Sequence, residues 1–191
     1  MRRMAMVAAA AAMATAGPAR AEMVEFGEGD VYCLEYRLSD HTCESRGTLV
    51  SREGDRGRTR EEGFITDFAE PLGVVVEASL RFGERRNCMV AGSTTTTILP
   101  PDHPMAGLAH SVFAGTIQEM AREGYCVSYL RCEDDYFTVA YIGDERFPDL
   151  DARFALFRAG DPAIATLELR PVDTEGGMEP TVVPPECLPM L

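Results

Sequence analysis

The alternation of apolar and polar side chains is most regular in segment 72–82. Every second side chain from Val74 to Phe82 is apolar, and the positions between them become polar from Glu77 onward. A period of two residues is that of a half-buried β-strand. Similar strand character recurs in 31–38 with a return strand through Leu49-Val50, and in 87–99, 125–132, 136–142 and 163–170. The pattern predicts an antiparallel or mixed sheet of about six strands.

One long segment has helical rather than strand periodicity. Pro100-Pro101 ends the preceding strand, Asp102 is predicted to cap the helix, and Gly124 is predicted to end it. A second, shorter helix is predicted for 149–159. The predicted fold class is therefore α+β, a sheet packed by one long and one short helix and stabilised by disulfides. The apolar stripe expected to cover the sheet consists of Met105, Leu108, Ala109, Val112, Phe113, Met120 and Ala121.

Two segments are predicted to lack regular structure. The segment from Arg52 to Gly63 contains four arginines and four acidic residues, so its net charge is zero. This composition favours a solvated loop or hairpin tip. From Pro171 to Leu191 the chain is rich in proline, glycine and acidic residues. We therefore predict a single globular domain over residues 22–170, followed by a tail over 171–191 that Cys187 pins to the domain.

The N-terminus has the features of an export signal. Two arginines precede an uninterrupted apolar run from Met4 to Ala14, and Ala19-Arg20-Ala21 has the small-x-small pattern of a cleavage site. Residues 1–21 are predicted to be removed before Glu22. The apolar run is shorter than the roughly 20 residues that a membrane-spanning helix needs, so no membrane insertion is expected. The predicted location is extracytoplasmic, and the periplasm is favoured over full secretion.

Charge narrows the range of partners. All 18 basic residues are arginines and 31 residues are acidic, giving a net charge of −13. Three arginines belong to the predicted signal, so the mature chain would have 15 basic against 31 acidic residues, or −16. Such a surface repels nucleic acid and anionic membranes. The absence of lysine also excludes Schiff-base and P-loop lysine chemistry.

Six cysteines, an even number, predict three disulfides in an oxidising compartment. In the predicted hairpin Cys43 lies opposite Leu38, too far along the strand from Cys33 for a bridge unless the turn occurs earlier. Cys126 and Cys132 share a strand face about 20 Å apart and should bond to different partners. Without a CxxC pair or a histidine at metal-ligand spacing, no metal or cofactor is predicted. The six are Cys33, Cys43, Cys88, Cys126, Cys132 and Cys187.

Two sets of residues are candidates for ligand contact. His103 and His110 lie two turns apart on the same side of the predicted long helix. Arg81, Arg85 and Arg86 form a local positive excess beside a single Glu84 and are suited to binding an anion. Each set also has a competing interpretation. The histidines would be exposed to solvent or packed structurally, and the arginines would form structural salt bridges.

These features together favour an exported soluble binding or accessory protein of the bacterial cell envelope that lacks catalytic activity. Its partner would be a protein or a small molecule. The alternative is a small envelope hydrolase that uses His103 or His110 with nearby carboxylates. A catalytic histidine should lie in a cleft beside a carboxylate or hydroxyl, whereas a binding module should leave its histidines exposed.

Overall fold

β-Strands dominate the computed structural model, which describes residues 21–66, 68, 70–171 and 181–188. In these residues a single α-helix, α1, spans Ala106–Arg122. Most of the predicted signal peptide lies outside the described residues. The strands are β1 Glu22–Met23, β2 Val31–Leu34, β3 Thr42–Cys43, β4 Ser45–Glu53, β5 Arg56–Ile65, β6 Leu72–Phe82, β7 Asn87–Met89, β8 Thr95–Leu99, β9 Tyr125–Cys132, β10 Asp135–Ile142, β11 Glu145–Arg146, β12 Ala152–Phe157 and β13 Glu168–Leu169.

Eight of these strands close into an antiparallel barrel. Starting at β9, the neighbours in order are β7, β6, β5, β4, β2, β12 and β10, and β10 pairs again with β9. Strands β1, β8 and β11 extend this sheet, while β3 and β13 form a small parallel pair beside it. The prediction of an α+β fold with about six strands under a long helix is wrong. The strands bury most of their apolar faces against one another inside the barrel, and helix α1 covers one part of the sheet, where it packs against Val74, Val76 and Ile98.

The charged segment predicted as a loop is a β-hairpin. Strands β4 and β5 pair from Glu53 opposite Arg56 up to Arg46 opposite Glu62, with the turn at Gly54-Asp55. The arginines of β5 lie on the outer face, and the residues between them point inward. Arginine therefore alternates with small or neutral side chains, as expected for a half-buried strand, although the segment has few aliphatic residues.

The second predicted helix is also wrong. Pro148–Leu150 forms one 3-10 turn, and the chain then continues as β12. Phe154 is buried in the barrel while Arg153 is exposed, the alternation of a strand. The predicted last strand over 163–170 is mostly a 3-10 turn, Pro162–Thr166, and only Glu168–Leu169 pairs as a strand.

Helix α1 is shorter than predicted and packs along a narrow line. It begins after Met105, and Asp102 lies in the preceding turn without capping it. Gly124, with φ of 85°, ends it as predicted. Leu108 and Val112, which were expected to be buried, are 55% and 61% exposed. Two of the seven residues in the predicted stripe are therefore exposed, whereas Ala109 and Ala121 are buried.

Three disulfides join Cys33 to Cys43, Cys88 to Cys126, and Cys132 to Cys187. The prediction of three bridges is confirmed, and three disulfides indicate an oxidising, extracytoplasmic environment. Cys126 and Cys132 bond to different partners, as expected. The last bridge attaches the C-terminal segment 181–188 to the outer face of β9 and β10, where Val183 is buried.

The prediction against a Cys33–Cys43 bridge is wrong, since their Cα atoms lie 5.4 Å apart. The turn occurs earlier than predicted. The last pair before it is Arg37 with Thr42, whereas the prediction paired Leu38 with Cys43. Glu35 has a positive φ of 49°, which bends the chain out of the barrel sheet directly after β2. The bend brings Cys43 over the outer face of β2, where Cys33 points.

One end of the barrel is closed by an aromatic cluster. Phe26 packs edge-on against Tyr32 and Tyr129, with ring centroids 5.7 and 4.9 Å apart. The buried Asp30 carboxylate holds the chain around this plug by accepting the N–H groups of Gly27 and Ala159. Aromatic side chains therefore fill the interior at this end of the barrel.

Candidate ligand-binding site

A cavity of about 910 Å³ occupies the end of the barrel opposite the aromatic cluster. It lies between the ends of β2, β4 and β5 on one side and helix α1 on the other. A smaller recess of about 70 Å³ lies deeper in the barrel and shares Leu34, Glu61, Met89, Tyr125 and Leu150 with the cavity as wall residues. Pockets that bind small molecules commonly measure about 300–1,000 Å³.

The cavity has predominantly hydrophobic walls on two sides. The inward face of β6 contributes Val74 and Val76, the same face that the two-residue alternation in the sequence marks as apolar. Helix α1 contributes the opposite wall, since Phe113 and Ile117 pack against the cluster that contains these valines. Side chains on this helix at i, i+4 and i+7 share one face, so one helical row borders the cavity. The remaining apolar lining residues include Leu34, Met89 and Met120.

A row of three residues across β2, β4 and β5 places a carboxyl group inside the barrel. Tyr32 is paired with Gly47, and Gly47 is paired with Glu61. Because Gly47 has no side chain, the phenol of Tyr32 extends across β4 and donates a hydrogen bond to Oε1 of Glu61. A Cβ atom at Gly47 would lie 2.0 Å from Cζ of Tyr32. Glycine is therefore required at position 47 for this contact to form.

The environment of Glu61 disfavours its charged form. Burial inside the barrel raises the pKa of Glu61, although the hydrogen bond from Tyr32 opposes that shift. Burial and the neighbouring Glu61 carboxyl also raise the pKa values of Tyr32 and Tyr129. Burial raises the pKa of Tyr125 in the same way. Within the described part of the chain, no arginine forms an ion pair with Glu61, so its acidic group has only a neutral phenol as partner.

Among the described residues, acidic side chains predominate over basic ones in the lining of the cavity. The lining includes six carboxyl groups and one guanidinium, that of Arg37. Two of these carboxylates form salt bridges, Glu62 with Arg46 and Asp151 with Arg146. Burial and the neighbouring charge of Glu35 raise the pKa of Glu44. The six acidic lining residues are Glu35, Glu44, Glu61, Glu62, Asp149 and Asp151.

Both histidines predicted as ligand contacts lie outside the cavity lining. His103 precedes α1, accepts the N–H of Met105, and lies 3.8 Å from the Glu70 carboxylate, which is 83% exposed. His110 is exposed on the helix. The structure does not bring either histidine to the buried carboxyl of Glu61. No group of three potential ligand side chains (His, Cys, Asp or Glu) among the described residues is arranged to hold a metal ion.

The three arginines predicted to bind an anion do not converge on a pocket. Arg86 donates to the Gly143 carbonyl and stacks over Tyr141, with its guanidinium carbon 4.0 Å from the ring centroid. Arg81 is exposed on β6, and the backbone carbonyl of Arg85 accepts the hydroxyl of Ser128. The arrangement of Arg86 corresponds to the structural interpretation of this set rather than to an anion site.

Sequence reasoning missed Glu61, which it counted as one charge in a balanced loop. A usable signal exists in the same segment. From Arg56 to Arg60 every second residue is arginine, and the residues between them, followed by Glu61, form the other face. Under a two-residue period this places Glu61 with Gly57 and Thr59, both of which are buried.

Replacing Glu61 with glutamine is expected to raise the free energy of unfolding at pH 7 and to leave it unchanged at pH 4. Because the pKa of Glu61 is raised above its usual 4.5 in the folded protein, only the unfolded chain loses the proton as the pH first rises above that value. Wild-type stability therefore falls over this range, whereas glutamine has no proton to lose. Urea unfolding of both proteins at the two pH values measures the difference. An equal difference at pH 4 and pH 7 would contradict the assignment.

Comparison of the chain with protein-family models, curated proteins and solved structures finds no match. Among the described residues, no helix has the length and apolar character needed to cross a lipid bilayer.

Proposed function

We propose that this protein is an exported, non-catalytic binding protein of the bacterial cell envelope that holds a hydrophobic small molecule in its barrel cavity. The observation that supports this most strongly is the large cavity with apolar walls at one end of the barrel. The periplasm is the proposed location, because the chain has the features of an export signal and contains three disulfides.

The packing of the barrel supports a binding role. An eight-stranded barrel is just wide enough to be filled by its own side chains or to hold one small ligand. Here the aromatic cluster fills one end, whereas the other end is lined by small residues such as Gly63, Val74 and Val76. This pocket is open to solvent, and its volume of about 910 Å³ lies within the range of sites that bind small molecules.

The hydrolase alternative has weaker support. His103 has a carboxylate neighbour, as a catalytic histidine would, but Glu70 is largely in solvent and neither residue borders the cavity. A reaction centre there would lack the water-excluding walls that strengthen electrostatic catalysis.

A fluorescence titration with N-phenyl-1-naphthylamine, a neutral apolar probe, tests the proposal. We expect saturable binding with one probe per chain and an increase in probe fluorescence. The variant Ile117→Trp should block binding, because position 117 lies on the cavity wall. Val112→Trp on the exposed side of the same helix should bind the probe as the wild type does.

Circular dichroism melting of both variants establishes that they are folded. Absence of saturable binding by the wild type would refute the proposal. Equal binding by two folded tryptophan variants would show that the probe occupies another surface.

A further inference from the structure

We infer that the ligand is an amphipathic amine whose ammonium group binds to Glu61 and whose apolar chain lies between β6 and helix α1. This inference rests on the proposed function, since it assumes that the barrel cavity is the binding site. It adds the chemical class of the ligand and the residue that selects it.

The charge of the cavity selects against an anionic head group. Glu35 and Glu44 line the cavity, and among the described residues the lining has one guanidinium, that of Arg37, which lies 3.7 Å from Glu44. An ammonium group is attracted by the same field. A carboxylate ligand of equal length would meet like charges at Glu35 and Glu44 and again at Glu61, and such repulsion is an effective source of specificity.

Among the described residues, no arginine forms an ion pair with Glu61. Two other carboxylates of the lining, Glu62 and Asp151, each pair with an arginine. Glu61 is half-buried and accepts a hydrogen bond from the neutral phenol of Tyr32, and without a counter-ion its charged form is disfavoured. An ammonium group would supply the missing charge through charge-assisted hydrogen bonds. The side chains of Tyr32, Tyr125 and Tyr129 line the same recess.

The apolar walls begin next to the acidic group. Glu61 on β5 is paired with Val76 on β6, and Val76 lines the same cavity as Phe113 and Ile117. An ammonium group at Glu61 therefore places the attached chain along β6 towards the helix. The two parts of the cavity match the two parts of a long-chain amine.

Competition for the bound naphthylamine probe by dodecylamine, dodecanol and dodecanoate tests the inference at pH 7, below their micellar concentrations. The three molecules share one apolar chain and differ in the charge of the head group. Dodecylamine is expected to compete at about tenfold lower concentration than dodecanol, the effect of one charge-assisted hydrogen bond. Dodecanoate is expected to compete most weakly.

The variant Glu61→Gln should lose about tenfold in affinity for dodecylamine and bind dodecanol as the wild type does. Retained dodecanol binding also shows that the variant is folded. Glu77→Gln is the matched control, because Glu77 pairs with Arg58 and Arg60 on the outer surface of the barrel. It should leave both affinities unchanged.

The outcomes separate the two proposals. If the neutral probe binds but the amine competes no better than the alcohol, or if the carboxylate competes best, the amine inference is wrong while the cavity remains the binding site. An amine preference that survives Glu61→Gln also overturns the inference. If neither the probe nor any of the three compounds binds, both proposals fail.

Discussion

Replacing both Cys88 and Cys126 with alanine is expected to lower the free energy of unfolding by about 4 kcal/mol, the loop-entropy value for a bridge across this sequence separation. The two cysteines are 38 residues apart and lie directly opposite each other on β7 and β9. Those strands are joined by two paired positions, Asn87 with Val127 and Cys88 with Cys126. Loss of the bridge should therefore loosen the barrel along this seam. Urea unfolding measures the stability, and amide hydrogen exchange locates the opening.

Removing the Cys132–Cys187 bridge is the matched control. It closes a longer loop of 55 residues, so the loss of chain entropy alone would make it at least as destabilising. That bridge attaches the C-terminal segment and does not join two barrel strands. We expect faster exchange in β7 only when Cys88 and Cys126 are replaced, since Cys132 of the control bridge itself lies on β9. Equal exchange in both variants would contradict a role for the Cys88–Cys126 bridge in closing the barrel.

Gly47→Ala is expected to lower the free energy of unfolding by about 3 kcal/mol, the upper end of the usual cost of overpacking. The added methyl would lie 2.0 Å from Cζ and 2.3 Å from the hydroxyl oxygen of Tyr32. The phenol must move, and its hydrogen bond to Glu61 is then lost. Urea unfolding gives the loss of stability, and the near-ultraviolet circular dichroism of tyrosine reports the displaced ring. The chain has no tryptophan to obscure that signal.

Gly107→Ala controls for the general effect of alanine. Nothing lies within 4 Å of a Cβ atom at position 107, which is exposed on α1. Position 107 lies in the first turn of α1, where the preference for alanine over glycine is smaller than the roughly 0.5–1 kcal/mol of a helix interior, so this variant should be at least as stable as wild type. The variant Gly47→Ala/Tyr32→Ala should be less unstable than the two single changes predict together, since it removes the clash. Wild-type stability for Gly47→Ala would contradict the packing described for Tyr32.

Segments with regular periodicity could be predicted from the sequence. The bounds of β6 and β9 coincide with the predicted strands 72–82 and 125–132, because each strand has a continuous apolar face and a clear end. Gly124 ended the helix as expected, since a positive φ favours glycine. Local rules of this kind depend on neighbours in the chain and not on which strands meet in space.

Closure of the barrel could not be predicted in this way. It depends on pairs distant in sequence, such as Phe154 with Leu34 and Cys88 with Cys126. In the short strand β12, Phe154 and Phe157 are three residues apart, a spacing that also fits a helix. The sequence of β12 is therefore compatible with a helix and with a strand, and pairing with distant strands decides between them. The candidate site was missed for the same reason. Tyr32, Gly47 and Glu61 are brought together by the register of three strands, and none of them belongs to a recognisable motif.

A carbon-13 methyl spectrum of methionine-labelled protein, recorded during titration with dodecanol, tests directly whether the barrel cavity is the ligand-binding site. Met89 and Met120 line the cavity, whereas Met23 packs on the outer cluster at β9 and β10. The account predicts shifts of the Met89 and Met120 methyl signals and their cross-relaxation with the dodecanol chain, without change at Met23. Saturating dodecanol that leaves Met89 and Met120 unchanged, or that shifts only Met23, would contradict it.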